Sequence, residues 1–288
     1  MPAARAPSIL VDGRPAETLA VADRALQYGD GLFETFAVRD GEPRLWRQHM
    51  ARLDAGCRRL GLPAPDSDLL LAEARELCAG HARAVLKLIY SSGRGGRGYV
   101  RPSAPHPSRI AQVFPAPEYP AARWRDGVAV RVCELRLARQ PLLAGIKHLN
   151  RLEQVLARRE WSDPDIAEGL LLDERDRVVE GTVSNVFVVR DGRLRTPLLD
   201  GCGVRGVMRE RILELAGELG LPAEEGDISL AELDAAEEVF LSNSLIGIWP
   251  VARIGARALR PGPAGRALLD ALIASGDSLA PESVCSDA

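Results

Sequence analysis

Residues 142–158 read L-L-A-G-I-K-H-L-N-R-L-E-Q-V-L-A-R. The stretch sets one lysine, Lys147, behind small and apolar residues (Ala144, Gly145, Ile146), where a helical pattern begins. Leu149, Leu152, Val155 and Leu156 recur at three- and four-residue spacing and share one helix face. Lysine is scarce in this chain: of 37 Lys and Arg residues, all but Lys87 and Lys147 are Arg. An Arg side chain stays protonated, whereas a Lys drawn partly out of water loses its proton more readily and attacks a carbonyl. Lys147 is therefore a candidate for an imine with an aldehyde cofactor.

Such a cofactor needs a phosphate clamp and a carboxylate facing its pyridine nitrogen. Candidates for each lie downstream. Gly203-Val204-Arg205-Gly206-Val207-Met208-Arg209 is a glycine-containing turn that opens a helix, which suits phosphate and equally suits an ordinary helix start. Ser242-Asn243-Ser244 ends a strand and offers hydroxyl and amide donors, or is a plain polar turn. Glu180, in Val178-Val179-Glu180-Gly181-Thr182, is a carboxylate among apolar residues. If buried it needs a partner, and a pyridinium is one; if exposed it is a strand-end charge.

The surrounding pattern is α+β. Residues 31–38 (G-L-F-E-T-F-A-V) and 84–91 (A-V-L-K-L-I-Y-S) read as strands, 46–60 and 68–80 as helices, with Asp12-Gly13 and Asp40-Gly41 as hairpin signals. Residues 115–123 (P-A-P-E-Y-P-A-A-R) carry no periodicity and read as a linker. The second half predicts a strand over 128–137, two or three strands over 170–189, a helix over 204–220, a Ser229/Glu232 capping box and a strand at 239–241. This gives two domains with mixed sheets: a smaller one over 1–114, a linker at 115–123, and a larger one over 124–288 that carries Lys147. The polar tail from Gly276 is expected to fray.

The 288 residues carry a net charge of −3 and are 46% hydrophobic, values of a folded globular chain that argue against a dedicated nucleic-acid or membrane-surface binder. No run nears 18 apolar residues, and Met1 to Leu10 lacks the apolar core of a signal peptide, so no membrane partner and a cytoplasmic location are expected. Five scattered cysteines and four scattered histidines match neither a disulfide framework nor a zinc site, so no metal is expected. Gly93 to Gly98 (G-R-G-G-R-G) fits the dinucleotide string, but the prolines that follow leave no helix to hold a pyrophosphate. It reads as a flexible loop whose Arg94 and Arg97 either sit over an anionic substrate or are solvated.

Three runs carry a resemblance to a known family: Ala22-Asp23-Arg24-Ala25 through Tyr28-Gly29-Asp30-Gly31, Gly95-Gly96-Arg97-Gly98-Tyr99, and residues 142–158. Together they resemble the pyridoxal-phosphate enzymes of fold type IV, the class-IV aminotransferases. The third run looks most like the family's aminodeoxychorismate lyases. The resemblance spans about Leu10 to Val251 and implies a homodimer of two-domain subunits with the cofactor in the interdomain cleft. It implies conversion of 4-amino-4-deoxychorismate to 4-aminobenzoate and pyruvate; D-amino acid or branched-chain transamination is the alternative. By position it makes Lys147 the Schiff-base lysine and Glu180 the partner of the pyridine nitrogen. It places Arg52 (in His49-Met50-Ala51-Arg52-Leu53), Val207, Met208 and Ser244 at the phosphate. Asn185 takes a supporting place and Thr35, if its strand aligns as in the family, serves as a proton relay; Arg94 or Arg97, by the bidentate pairing of a guanidinium with a carboxylate, is expected to meet a substrate carboxylate.

Overall fold

A computed structural model describes residues 8–284. Cys285, the last residues of the tail and most of the N-terminal stretch read for a leader lie outside the described residues. The chain divides into two units: one runs to Pro117 and takes in Ile146–Asn150, the other comprises Glu118–Gly145 and the chain from Arg151.

The first unit is one six-stranded antiparallel sheet with helices. Its elements are β1 (Ile9–Val11), β2 (Arg14–Pro15), α1 (Arg24–Tyr28), β3 (Gly31–Arg39), β4 (Glu42–Pro43), α2 (Trp46–Leu60), α3 (Ser67–Cys78), β5 (Arg83–Ser91) and β6 (Arg109–Pro115). The strand order is β2-β1-β6-β5-β3-β4. β3 alternates: Leu32, Glu34, Phe36 and Val38 are buried, while Phe33 and Thr35 are half-exposed. Helix α2 covers the buried face. Trp46 and His49 lie against the Phe36 ring, and Gly56 leaves room for Leu32, whose Cδ1 would sit 2.8 Å from an added Cβ.

The glycine-rich string 93–98 opens no helix; the chain runs on to β6. What read as a flexible loop is tied to the α1 turn. Arg94 bridges Asp23, and the Arg24 guanidinium donates to the carbonyls of Gly98 and Tyr99 at 3.0 Å each. Gly93 has φ +78°, and an added Cβ there would overlap the His106 carbonyl, so glycine is required.

The second unit holds the mixed sheet. Its elements are α4 (Ala122–Arg125), β7 (Val128–Leu137), α5 (Leu152–Arg158), β8 (Ile166–Asp173), β9 (Val178–Gly181), β10 (Asn185–Arg190), β11 (Arg193–Pro197), α6 (Val207–Glu218), β12 (Ala223–Gly226), α7 (Leu230–Asp234), β13 (Glu238–Asn243), β14 (Gly247–Ile254), β15 (Arg257–Ala258) and α8 (Pro263–Ala274). Strands run β12-β11-β10-β13-β14-β7-β8-β9, with β15 beside β14. β11/β12, β14/β7 and β7/β8 pair in parallel and the others antiparallel. The Ser229/Glu232 capping box is present on α7.

Three expectations need correction here. The 115–123 stretch is more than a linker: it leads into α4, where the Arg123 guanidinium lies about 5 Å from the Tyr119 and Trp249 ring centroids. The tail does not fray over its described part, since Ser278, Leu279, Ala280 and Val284 are buried. The helix after Lys147 starts only at Leu152, and its apolar face points outward: Leu152 is 75% exposed, with Val155 and Leu156 at least half exposed.

Candidate active site

The first unit holds the lysine. Residues 146–150, which the sequence placed in the larger domain, run along the start of β3 and join it through one isolated antiparallel bridge. Phe33 N–H donates to the Lys147 carbonyl and Leu149 N–H to the Gly31 carbonyl, both at 3.0 Å, with Leu32 opposite His148. This register puts Lys147 beside Phe33 on the half-exposed face of the sheet, and its Nζ lies 4.5 Å from the ring centroid. Thr35 follows two residues along on that face, opposite Lys87 on β5, whose Nζ is 5.5 Å from the same ring. Both lysines of the chain therefore share one sheet face with Thr35.

On the other face, Glu34 is fully buried against α2. Its carboxylate accepts from Arg52 Nε at 2.9 Å, from Arg52 Nη2, and from His49 Nδ1 at 2.6 Å. Burial opposes the charge on Glu34, but Arg52 and His49 outweigh it and hold the carboxyl below its usual range. Burial lowers the His49 pKa, with help from Arg52 and Lys147, against the pull of Glu34. A neutral His49, an anionic Glu34 and a cationic Arg52 result. Glu34 thus sets the orientation of Arg52, the arginine singled out for phosphate.

The sign of the pH dependence follows. His49 is harder to protonate folded than unfolded, so the unfolded chain binds the extra proton below about pH 6.5. Its contribution to stability is complete above that value and is lost as pH falls. The melting temperature should drop between pH 7 and pH 5, and His49→Gln should flatten part of that slope. The effect is about 1.4 kcal/mol for each pH unit by which the folded value lies below the free one. Identical slopes in the two proteins would refute a neutral buried His49.

The second unit holds the carboxylate and the helix terminus. Glu180, near the end of β9, is buried; its Oε2 accepts the Val204 N–H at 2.8 Å and its Oε1 a 3.4 Å contact from Gln154 Nε2. Asn185, at the start of β10, donates from Nδ2 to the Val204 carbonyl at 2.9 Å. Glu180 and Asn185 thus clamp opposite sides of the Val204 backbone, and Asn185 acts on this turn. The turn needs its glycines. Gly203 has φ +82°, and an added Cβ on Gly206 would overlap Asn185 Oδ1.

Gly206 is the N-cap of α6 and brings no side-chain cap, so the first-turn N–H groups of Val207 and Met208 suit an anion. Arg209 turns away: it is buried and donates to Thr196, the Pro197 carbonyl and Glu225. Ser244 sits half-buried in a turn closed by Asn243 Oδ1, which accepts the N–H groups of Leu245 and Ile246 at 2.9 and 3.0 Å. The hydroxyl of Ser242 is fully buried and, among the described residues, has no hydrogen-bond partner. An uncapped helix start, a glycine cradle and a buried carboxylate are the donor set a phosphorylated pyridine requires, so the residues fit such a group. Arg94 and Arg97 are exposed on the loop before β6. Among the described residues no cluster of three metal-binding side chains forms, and no helix is long and apolar enough to cross a membrane.

Sequence reasoning missed Glu34, the partner of Arg52. Its signal was there: Leu32, Glu34 and Phe36 alternate on the buried side of the strand, where an unpaired carboxylate could not stay.

The fold and the donor set together describe a pyridoxal-phosphate enzyme of fold type IV. A family model, amino-transferase class IV, matches residues 31–254. The crystal structure of 4-amino-4-deoxychorismate lyase from Pseudomonas aeruginosa is 52% identical, with a TM-score of 0.90 over 93% of this chain and 99% of that one. Aminodeoxychorismate lyase of Vibrio harveyi is 38% identical over 85% of this chain and 91% of its own. A hypothetical aminotransferase from Mycobacterium tuberculosis in its pyridoxal-phosphate-bound form is 25% identical, with a TM-score of 0.75 over 91% of this chain and 95% of that one. The chain belongs to the class-IV aminotransferase family.

Proposed function

We propose that this chain is a pyridoxal-phosphate-dependent lyase that converts 4-amino-4-deoxychorismate to 4-aminobenzoate and pyruvate. The observation that carries the reading is the edge pairing that aims Lys147 onto the Phe33/Thr35 face, in a chain more than half identical to a solved lyase.

When bound, the cofactor supplies an electron-accepting ring. Glu180, held by the Val204 N–H, is the carboxylate that would keep a proton on the ring nitrogen. Arg52, aligned by Glu34 in the first unit, and the Val207 and Met208 N–H groups and Ser244 in the second are the groups that would hold the phosphate. The Lys147 amine removes the proton from C4 of the substrate. The C3–O bond then breaks, enolpyruvate departs and the ring becomes aromatic. The Lys147 ammonium returns the proton to the enolpyruvate methylene carbon, giving pyruvate. Thr35, on the same face, relays protons. Arg94 and Arg97 pair with substrate carboxylates.

The test is 4-aminobenzoate formation from aminodeoxychorismate by the purified chain with added pyridoxal phosphate. Product is expected. No product, with a D- or branched-chain amino acid instead converting the bound cofactor to its amine form, would replace the lyase with an aminotransferase.

Two further parts belong to this proposal. The chain works as a homodimer, with Leu142, Leu152, Val155 and Leu156, all half or more exposed, covered by a second copy. Val155→Asp should shift light-scattering mass from dimer to monomer; an unchanged dimer would exclude this surface. A cytoplasmic location is supported by the free thiols Cys57, Cys78 and Cys133.

A further inference from the structure

Glu168, on β8, is 3% exposed, and among the described residues its carboxylate has no ion-pair partner. A buried charge of this kind persists only when hydrogen bonds satisfy it. Five donors do so. Oε1 accepts from Gly169 N–H at 2.9 Å, from Thr182 N–H at 3.1 Å and from the Thr182 hydroxyl. Oε2 accepts from Val183 N–H at 3.1 Å and from the Ser184 hydroxyl at 2.9 Å. Four of the five come from residues 182–184, the bend between the end of β9 and the start of β10, where the strand ladder lapses. Glu168 thus supplements the backbone bonds of the stretch joining Glu180 to Asn185, where Thr182 N–H also donates to the Gly169 carbonyl at 3.0 Å and Gly181 N–H to the Ser184 carbonyl at 2.6 Å.

The chain of bonds continues. The Val183 carbonyl, whose own N–H is held by Glu168, accepts from Asn243 Nδ2 at 3.2 Å. The other end of that amide, Oδ1, closes the turn carrying Ser244. One buried carboxylate is therefore linked through a single residue, Val183, and a single side-chain amide to the Ser244 turn. Gly181 makes room for the arrangement: an added Cβ would overlap the Ser184 hydroxyl and lie 3.0 Å from Glu168 Cδ.

We propose that Glu168 is a positioning residue for cofactor binding: by shaping residues 182–184 it holds Asn243, and through Asn243 it sets Ser244 against the cofactor phosphate. The inference rests on the reading that Ser244 meets that phosphate. Its consequence is selective. Loss of Glu168 weakens ligands that carry the phosphate and spares those that do not.

The experiment measures binding of pyridoxamine 5′-phosphate and of pyridoxamine to the full-length apoprotein by isothermal titration calorimetry. Glu168→Gln places a donor amide beside two of the five donors. It should weaken pyridoxamine 5′-phosphate about tenfold, roughly one lost charge-assisted hydrogen bond, and leave pyridoxamine unchanged. Asn243→Ala cuts the link without touching a buried charge, and should reproduce the same selectivity should Glu168→Gln fold poorly. A loss shared equally by both ligands, or the full phosphate preference kept in both variants, would overturn the proposal. A wild-type protein with no phosphate preference would overturn the reading beneath it as well.

Discussion

Lys147→Arg is expected to abolish turnover, by at least about 10⁴-fold, and to remove the absorbance of the bound cofactor near the visible edge. The substitution isolates chemistry from packing. Arg keeps the positive charge and stacks on an aromatic face as well as Lys does, so the contact with Phe33 survives. The backbone pairing of Lys147 with Phe33 does not involve the side chain at all. What Arg cannot do is lose its proton, condense with the cofactor's aldehyde, or carry a proton away from C4. Melting temperature should stay close to that of the wild type while product formation disappears. Retained activity in a folded Lys147→Arg protein would end the assignment of Lys147 as the reacting amine.

Glu34→Gln is expected to cost about 3–5 kcal/mol of stability, the range for removing one member of a buried ion pair. Glu34 is 1% exposed and Arg52 12%, so solvent screens the contact little. With Gln in place, the Arg52 guanidinium faces a neutral amide, and His49 Nδ1–H loses a charged acceptor. A second effect is functional. Arg52 would no longer be aligned, and affinity for pyridoxal phosphate should fall along with the unfolding midpoint in urea. A variant with the wild-type midpoint would show that the Glu34 contacts contribute little net free energy.

Much of this was legible in the sequence because it rests on local periodicity. The strand at 31–38, the helix at 46–60 and the Ser229/Glu232 capping box are short-range patterns, and the structure shows all three. The parts that escaped depend on distant partners. Residues 149–156 have helical spacing, yet Leu149 lies beside the start of β3, because the N–H and carbonyl groups there bond Lys147 and Leu149 across one isolated bridge. Composition made 115–123 look unstructured; Tyr119 and Arg123 find their order against Trp249, more than a hundred residues later. Glu180 stood out as a carboxylate among apolar residues and Asn185 through the family resemblance, but Val204, the backbone group they jointly hold, could be identified only once the chain had folded.

The five residues around Lys147 belong to the first unit although the sequence on either side belongs to the second. During synthesis the first 117 residues emerge with the Gly31–Phe33 edge of β3 bare, and the segment that completes it arrives some thirty residues later. The first sheet is thus finished by a piece of chain that interrupts the other unit's sequence. A fragment cut at the apparent boundary near residue 117 would be a sheet missing its last rung, not an independent module. The Lys147 segment is therefore the last part of the first unit's sheet to be put in place.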